Sequence, residues 1–406
     1  MIMNEIDVLI CGGGIAGAAA AFWLGRAGQR VIVVERAPQP RKGGQAVDVR
    51  GAGRTVVERM GLLDQARTIA TDQRGLAVVD ANGRNLLRMP VDAFDGEGIV
   101  SEIEILRGDL AELLYRATLP DTDYIFDDTI TAIDVDDHGV TVTLENSEPI
   151  RCRLVIGADG SHSVVRGLAF DDRTAVRPLG CYTSWFTVGA EFDLDGWVQM
   201  YNAPGGLTAM VRPGHGPDEI KAALSFRSGP LTYDRRDIAA QQDHLRQRFR
   251  DAGWRIPRLL DGMSTADDFG FDSMDQIHLP HWHRDRVVLL GDAGYCASPL
   301  TGLGTSLALV GAYVLAGELA TNPGDHRRAL ISYEQLMRPY VKQAQQLPPG
   351  GIGGYAPDSR LALWLRTASM RASMHWPMRQ LMVRQFARAD AIDLPGYPLG
   401  ATVPIC

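Results

Sequence analysis

The sequence predicts an α/β protein with a parallel sheet wound by helices, a second layer dense in β-strand, and a helical C-terminal part. Three observations carry this. Two apolar β-branched runs, Ile6 to Cys11 and Val31 to Val34, flank an Ala-rich stretch from Ile15 to Ala27. Strand patterns and aromatic residues crowd the region from about Gly180 to Phe271. A Pro/Gly-rich break from Leu347 to Gly354 precedes a helical run from Ser359 to about Ala387.

The elements follow in order. Ile6 to Cys11 reads as a short buried strand, stopped by Gly12-Gly13-Gly14. Ile15 to Ala27 favours helix and ends at Gly28, and the strand after it ends on Glu35. Short connections make the two strands parallel with a right-handed crossover. Arg54 to Met60 reads as a short helix, and Arg107 to Ala117 as a longer one carrying Leu110 and Leu114. Three apolar alternations between Tyr124 and Val155 predict strands, separated by turn signals at Asp136-Asp137-His138-Gly139 and Asn146-Ser147. Leu154 to Ala158 is a further buried strand, ending in Asp159-Gly160. One helix, Arg236 to Ala252, interrupts the β-rich middle, after which Arg286 to Leu290 is a strand and Ser306 to Leu319 a helix. The chain contains no internal repeat.

Composition narrows the function classes. With 406 residues, 45% hydrophobic and 22% charged, the chain suits two joined domains around a large core. A formal net charge of -8 argues against a nucleic-acid partner, which demands a cationic surface. Five scattered cysteines, Cys11, Cys152, Cys181, Cys296 and Cys406, form no C-x-x-C pair. They fit a reducing cytoplasm better than a disulfide framework or structural zinc. The run from Ile6 to Leu24 contains Asp7 and four glycines, so neither a signal peptide nor a membrane span is expected there or elsewhere.

Gly12-x-Gly14-x-x-Gly17, with Ala16 inside it, opens the first helix, and Glu35 follows 18 positions after Gly17. The first glycine permits the tight turn, the second lets a pyrophosphate approach the backbone, and the third packs helix on strand. Free amides at the helix start favour phosphate, and Glu35 can accept from ribose hydroxyls. This is a Rossmann-like dinucleotide fingerprint, which alone leaves FAD and NAD(P) undecided.

Two later segments decide it. One is Leu154-Val-Ile-Gly-Ala-Asp159-Gly160-Ser-His-Ser163-Val-Val-Arg166; the other is Arg286-Val-Val-Leu-Leu-Gly291-Asp292-Ala-Gly, running on into Ser298-Pro299-Leu-Thr-Gly302-Leu303-Gly304-Thr305-Ser306. In order and spacing, all three segments resemble the class A FAD-dependent monooxygenases. This is the aromatic hydroxylase family that includes tetracycline-inactivating enzymes, and the likeness runs from Asp7 to about Leu319. The resemblance implies that Glu35 holds the adenosine ribose and that Arg36 lies near the adenine. It places Arg107 on the flavin side, makes Asp159 the acidic turn linking FAD to its reductant, and sets Asp292 on the ribityl chain. It further implies NADPH or NADH as co-substrate and O2 adding to the flavin as a C4a-hydroperoxide that hydroxylates an aromatic or polyketide-like small molecule. Independently, a Gly-x-Gly turn from Gly302 to Gly304 at a helix start presents amides to the negative edge of reduced flavin, and Pro299 sets a rigid turn beside it.

The expected fold is therefore α/β, with a Rossmann-like FAD-binding domain, a β-sheet-rich substrate domain and C-terminal helices. The FAD-binding domain would span 1–72, 100–178 and 275–325, the substrate domain 73–99 and 179–274, and the helical region 326–406. Substrate contacts are expected among Trp185, Phe186, Tyr201, Met210, Arg212, His215 and Phe226, with Met210, Arg212 and Phe226 chosen, together with Gln45 from the Arg41 to Asp48 segment that resembles a mobile-flavin cover. No protein nucleophile is expected, because the chemistry belongs to the cofactor.

The family often has His at the position of Tyr295 and Asn at that of Ser306. His278, His281 and His283 lack a clear fourth ligand, so no metal site is expected. The Met/Trp-rich helix around Trp376 reads as core packing before membrane contact. Rival readings are a flavin-linked dehydrogenase or reductase that inserts no oxygen, and a binding protein on the same fold. A flavin halogenase is disfavoured, since its Gly-Trp-x-Trp-x-Ile-Pro pattern is missing. A cytoplasmic monomer or homodimer is expected.

Overall fold

The computed structural model describes residues 6–41, 43–94, 101–170, 175–189, 193–216, 219–375, 377–380, 383 and 387–400. The chain opens with β1 (Ile6–Cys11), α1 (Ile15–Arg26) and β2 (Val31–Glu35). Four consecutive alanines, Ala18 to Ala21, are buried in α1, and small side chains let helix and sheet approach closely. Next come β3 (Ala46–Asp48), α2 (Gly51–Arg59) and α3 (Leu63–Thr68). α2 starts three residues before the expected Arg54, because its glycines serve packing and not a turn: a Cβ on Gly53 would stand 2.7 Å from Ser306 Oγ.

β4 (Gly75–Val79), β5 (Asn85–Pro90), β6 (Glu104–Leu106) and α4 (Arg107–Thr118) follow. Then come β7 (Thr122–Phe126), β8 (Ile130–Val135), β9 (Val140–Leu144), β10 (Ile150–Gly157) and α5 (Val164–Ala169). The strand expected at Leu154 to Ala158 is the second half of β10. The β-rich middle holds β11 (Val176–Gly189), β12 (Trp197–Ala203), β13 (Leu207–Pro213), β14 (Glu219–Arg227), α6 (Ile238–Phe249), α7 (Ile256–Met263) and β15 (Gly270–Ile277). Two helices therefore interrupt it where one was expected; α7 begins around Pro257, a residue suited to a first turn but easily read as a break. The chain closes with β16 (His283–Arg284), β17 (Val287–Leu289), α8 (Asp292–Tyr295), α9 (Gly304–Thr321), α10 (His326–Ala344), α11 (Gly351–Tyr355) and α12 (Arg360–Ser373). A helical segment was expected from Ser359 to about Ala387; α12 covers it to Ser373, residues 378–380 and 383 are again helical, and Trp376 lies outside the described residues.

The first sheet runs β16-β17-β10-β1-β2-β7, with β9 and β8 continuing from the early part of β10. β17, β10, β1, β2 and β7 are mutually parallel, as crossover helices require. The second sheet runs β15-β11-β14-β13-β12-β4-β5 and is antiparallel except for the β12–β4 pair. A two-stranded ribbon, β3–β6, stands apart. The joints expected at 178/179 and 274/275 fall inside β11 and β15, whose pairing begins at Val176 opposite Ile277.

One apolar core fills the first sheet and its helices, and two smaller cores cover the opposite faces of the second sheet. α9 is apolar enough and long enough to cross a bilayer by composition, contrary to the sequence expectation, yet it is mostly buried between α1, α2 and α10. A helix apolar all round belongs inside a core.

Candidate active site

The ends of the parallel strands and the starts of α1 and α9 meet at one place. Gly12 accepts the turn with φ +105°, and its amide donates to Val34 O at 2.8 Å. A Cβ there would lie 2.6 Å from Ala158 O, and one on Gly17 would lie 1.8 Å from Gly12 O. Gly14 differs, because its missing Cβ would meet nothing within 4 Å. The first and third glycines thus build the turn, while the second leaves backbone open to an approaching group. Gly14 is also the N-cap of α1 and brings no side-chain cap, so amides of the first turn remain available.

Glu35 is held by two amides: Gly13 N–H donates to Oε2 at 2.7 Å and Ala37 N–H to Oε1 at 2.8 Å. Each oxygen keeps acceptor capacity for a hydroxyl. Arg41 stands 3.8 Å from this carboxylate, and Arg36 is exposed. Ala16 abuts Gly291, where an added Cβ would lie 3.1 Å from the alanine methyl. Asp159 caps α5 by accepting from Ser163 Oγ at 2.5 Å and from Val164 N–H at 2.6 Å, and its Cα would lie 2.9 Å from a Gly12 Cβ.

Asp292 opens α8 after Gly291, whose φ is +64°. Its side chain is reachable by solvent yet surrounded by protein. Loss of hydration pushes its carboxyl above the usual carboxylate range, and the Arg107 guanidinium only partly opposes this. Arg107, at the start of α4, is held by its backbone, since its N–H donates to Gln45 O at 3.0 Å. Opposite Asp292 lies the start of α9, where an added Cβ on Gly304 would be 3.9 Å from Asp292 Oδ1. Ser298 holds φ +74°, Pro299–Thr301 makes one 3₁₀ turn, and Gly302 is left-handed. Leu303 then starts the helix without a side-chain cap. Thr305 is buried, and Ser306 is fixed by donating to Arg50 O at 3.0 Å.

The β3–β6 ribbon brings in residues that sequence reasoning did not single out. Asp48 faces Glu104 across the ribbon, pairs with Arg50 at 2.6 Å, accepts from Ser101 Oγ at 2.9 Å, and lies 3.3 Å from where a Gly302 Cβ would be. Glu104 pairs with Arg212, which also touches Met210 Sδ at 3.2 Å. Burial pushes the Glu104 carboxyl up and Asp48 adds to this, while Arg212 and Arg50 oppose it. Met210 and Arg212 therefore share the second-sheet face that looks toward the ribbon. Phe226 does not: it is fully buried on the other face, with ring centroids 5.8 Å from Tyr182 and 6.2 Å from Phe271. Strand alternation separates the two faces, so Phe226 leaves the set of substrate-facing residues.

Tyr295 is buried, its hydroxyl 2.9 Å from that of Tyr333, and burial pushes its phenol up to about 12. The residue at the family's frequent His position thus serves packing here. The three histidines do not converge as a set: His278 bonds Gln276, while His281 and His283 both stand beside Glu334.

These residues fit a dinucleotide with a flavin end. Open backbone at Gly14 and the uncapped α1 start suit a pyrophosphate, the oriented Glu35 suits a ribose, and Asp292 with Arg107 and the α9 amides suit a polar ring edge and its chain. A crowded carboxyl with raised proton affinity finds compensation in donor hydroxyls.

Comparison with known proteins agrees. The family model described as "FAD binding domain" matches residues 5–347. The chain is 44% identical over 352 residues to an uncharacterized protein of Mycobacterium tuberculosis, covering 86% of this chain and 94% of that protein. It is 36% identical over 344 residues to a flavin-dependent monooxygenase of Legionella longbeachae, covering 84% and 88%. The crystal structure of tetracycline destructase Tet(55) superposes with a TM-score of 0.82 at 34% identity, covering 98% of this chain and 100% of that one. The chain belongs to the FAD-binding monooxygenase family, of the class A aromatic-hydroxylase type.

Proposed function

We propose that this monooxygenase uses NADPH or NADH and O2 to insert one oxygen atom into an electron-rich aromatic or polyketide-like small molecule. The observation that carries the proposal is the convergence of three chain segments: the Gly12–Gly17 turn, Asp292 with Arg107, and the uncapped glycine start of α9. FAD, when bound, supplies O2 activation and oxygen transfer; this chain's residues bind, orient and shield.

In this reading, the backbone at Gly12, Gly14, Ala16 and Gly17 holds the pyrophosphate, Glu35 the ribose, and Arg36 the adenine side. Arg107 and Asp292 hold the flavin end. Pro299, Gly302, Leu303, Gly304 and Thr305 line one edge of the ring, where the helix start stabilises negative charge on the reduced form. Asp159, fixed at the Gly12 turn, keeps the α5 segment against the cofactor. Gln45, Met210 and Arg212 face the substrate, and Arg212 offers a cation to an enolic or phenolic oxygen. The division into an FAD-binding part, a β-rich substrate part and a helical C-terminal part is proposed on the same footing. The likeness to Tet(55) makes a polycyclic substrate the first to try.

Oxygen uptake by the flavin-loaded protein tests the proposal, with NADPH and NADH in turn against a panel of phenols and polyketide-like compounds. Substrate-stimulated NAD(P)H oxidation matched by O2 consumption supports it. Reduction of a substrate with no O2 consumed would replace it with the dehydrogenase reading.

A further inference from the structure

The outer face of α12 carries three large apolar side chains at helical neighbour positions, Leu361, Trp364 and Leu365, which are 66%, 65% and 53% exposed. Its inner face is anchored. Met370 and Met374 pack on the second sheet and Arg366 donates to Asn202 Oδ1 at 2.8 Å, while Arg371, seven positions after Trp364 and so on its side of the helix, reaches across to donate to Leu86 O at 2.5 Å. The apolar stripe is thus a fixed surface turned away from the sheet, and it is not a frayed end. Leu86 extends it, being 37% exposed on β5 between the exposed Arg84 and Arg88.

Charge separates this surface from the rest of the chain. Among the described residues, Arg360 and Arg371 on α12 and Arg84 and Arg88 beside Leu86 are all exposed, in a chain of net charge -8. Arg371 spends its hydrogen bonds on a neutral carbonyl oxygen, so its positive charge is not cancelled by them. Asp358, at the N-terminal edge, is engaged by Arg227 at 3.3 Å. A second copy of the chain is a poor occupant, because a two-fold contact would bring the same cationic rims together. An indole and leucines in a cationic setting match the interface of an anionic bilayer, where apolar groups enter the headgroup boundary and arginines meet phosphates.

We infer that the exposed face of α12, with Leu86 and its flanking arginines, docks the protein on an anionic lipid surface. Docking holds the substrate sheet next to the phase in which apolar compounds concentrate.

Co-sedimentation of the full chain with lipid vesicles tests this. Binding to phosphatidylcholine vesicles containing phosphatidylglycerol should exceed binding to phosphatidylcholine alone by at least about tenfold, and should weaken as salt is added. The variant L361S/W364S/L365S alters exposed side chains only; it should lose at least about tenfold of that binding while keeping its melting temperature and flavin content. Independently of any variant, quenching of tryptophan fluorescence by brominated lipid should accompany binding. The inference is overturned if the chain ignores the anionic vesicles, if the triple variant binds them equally, or if the stripe proves to be covered by a second copy. In that last case, sedimentation velocity would show a dimer that the triple variant dissolves.

Discussion

Replacing Gly14 and Gly17 separately by alanine distinguishes a turn glycine from a ligand-facing one. At Gly17 the new methyl would sit 1.8 Å from Gly12 O, far inside contact distance and against backbone that cannot rotate away. Relief requires moving α1 off β1, so a destabilisation of about 3 kcal/mol or more is expected, at the upper end for overpacking. At Gly14 the φ of -75° suits alanine and no atom lies within 4 Å of the new methyl. Stability there should change by only about 0.5 kcal/mol, since alanine replaces glycine at an N-cap. The methyl instead occupies the approach of the pyrophosphate. Losing about 3 kcal/mol of contact would weaken FAD binding by about a hundredfold. Thermal melting of both apo-proteins, followed by titration with FAD and detection of flavin fluorescence quenching, reads both effects. The reasoning is refuted if G14A binds FAD as tightly as the parent chain, or if G17A melts at the parent temperature.

Further outcomes are expected at the same site. Loss of hydration among the surrounding protein atoms gives Asp292 a raised proton affinity in the folded state, so the apo-protein should lose stability as pH climbs from the ordinary carboxylate range through the raised value. D292N should therefore melt higher than the parent at neutral pH, equal it in acid, and bind FAD at least about tenfold more weakly; a melting difference that grows toward acid would contradict the sign. R212A strands the buried Glu104 carboxylate and should cost about 3 kcal/mol, while the double variant R212A/E104Q should recover much of it, as chemical denaturation would show. Y295F removes one hydroxyl pairing but leaves Tyr333 donating to Leu289 O, so a loss of about 1 kcal/mol with unchanged FAD affinity is expected from melting and flavin titration.

Much of this was legible because it is local. The Gly12–Gly17 turn, its two flanking strands and Glu35 lie within thirty residues, and their spacing encodes their geometry. The glycines before α9 and Asp292 were legible for the same reason. What escaped depends on distance or on phase. Glu104 and Arg212 are separated by 108 positions, and only the packing of the β3–β6 ribbon against β13 brings them together. Phe226 sits on a strand whose alternation was evident, but alternation alone does not tell which face meets the helices α6 and α7 and which meets the site. Gly51 and Gly53 lie outside the helix that the sequence predicts from Arg54, since glycine disfavours helix, whereas close approach of Gly53 to Ser306 and of Gly51 to Ala389 overrides that preference.

The central claim is oxygen insertion at a flavin held by this site. The most direct measurement is mass spectrometry of the product formed by the FAD-loaded protein, NAD(P)H and isotopically heavy O2, with a polycyclic phenol as first substrate. We expect one heavy oxygen atom in the product and one NAD(P)H consumed for each. A product whose new oxygen comes from water, or one formed equally well without O2, would contradict the monooxygenase assignment of this site.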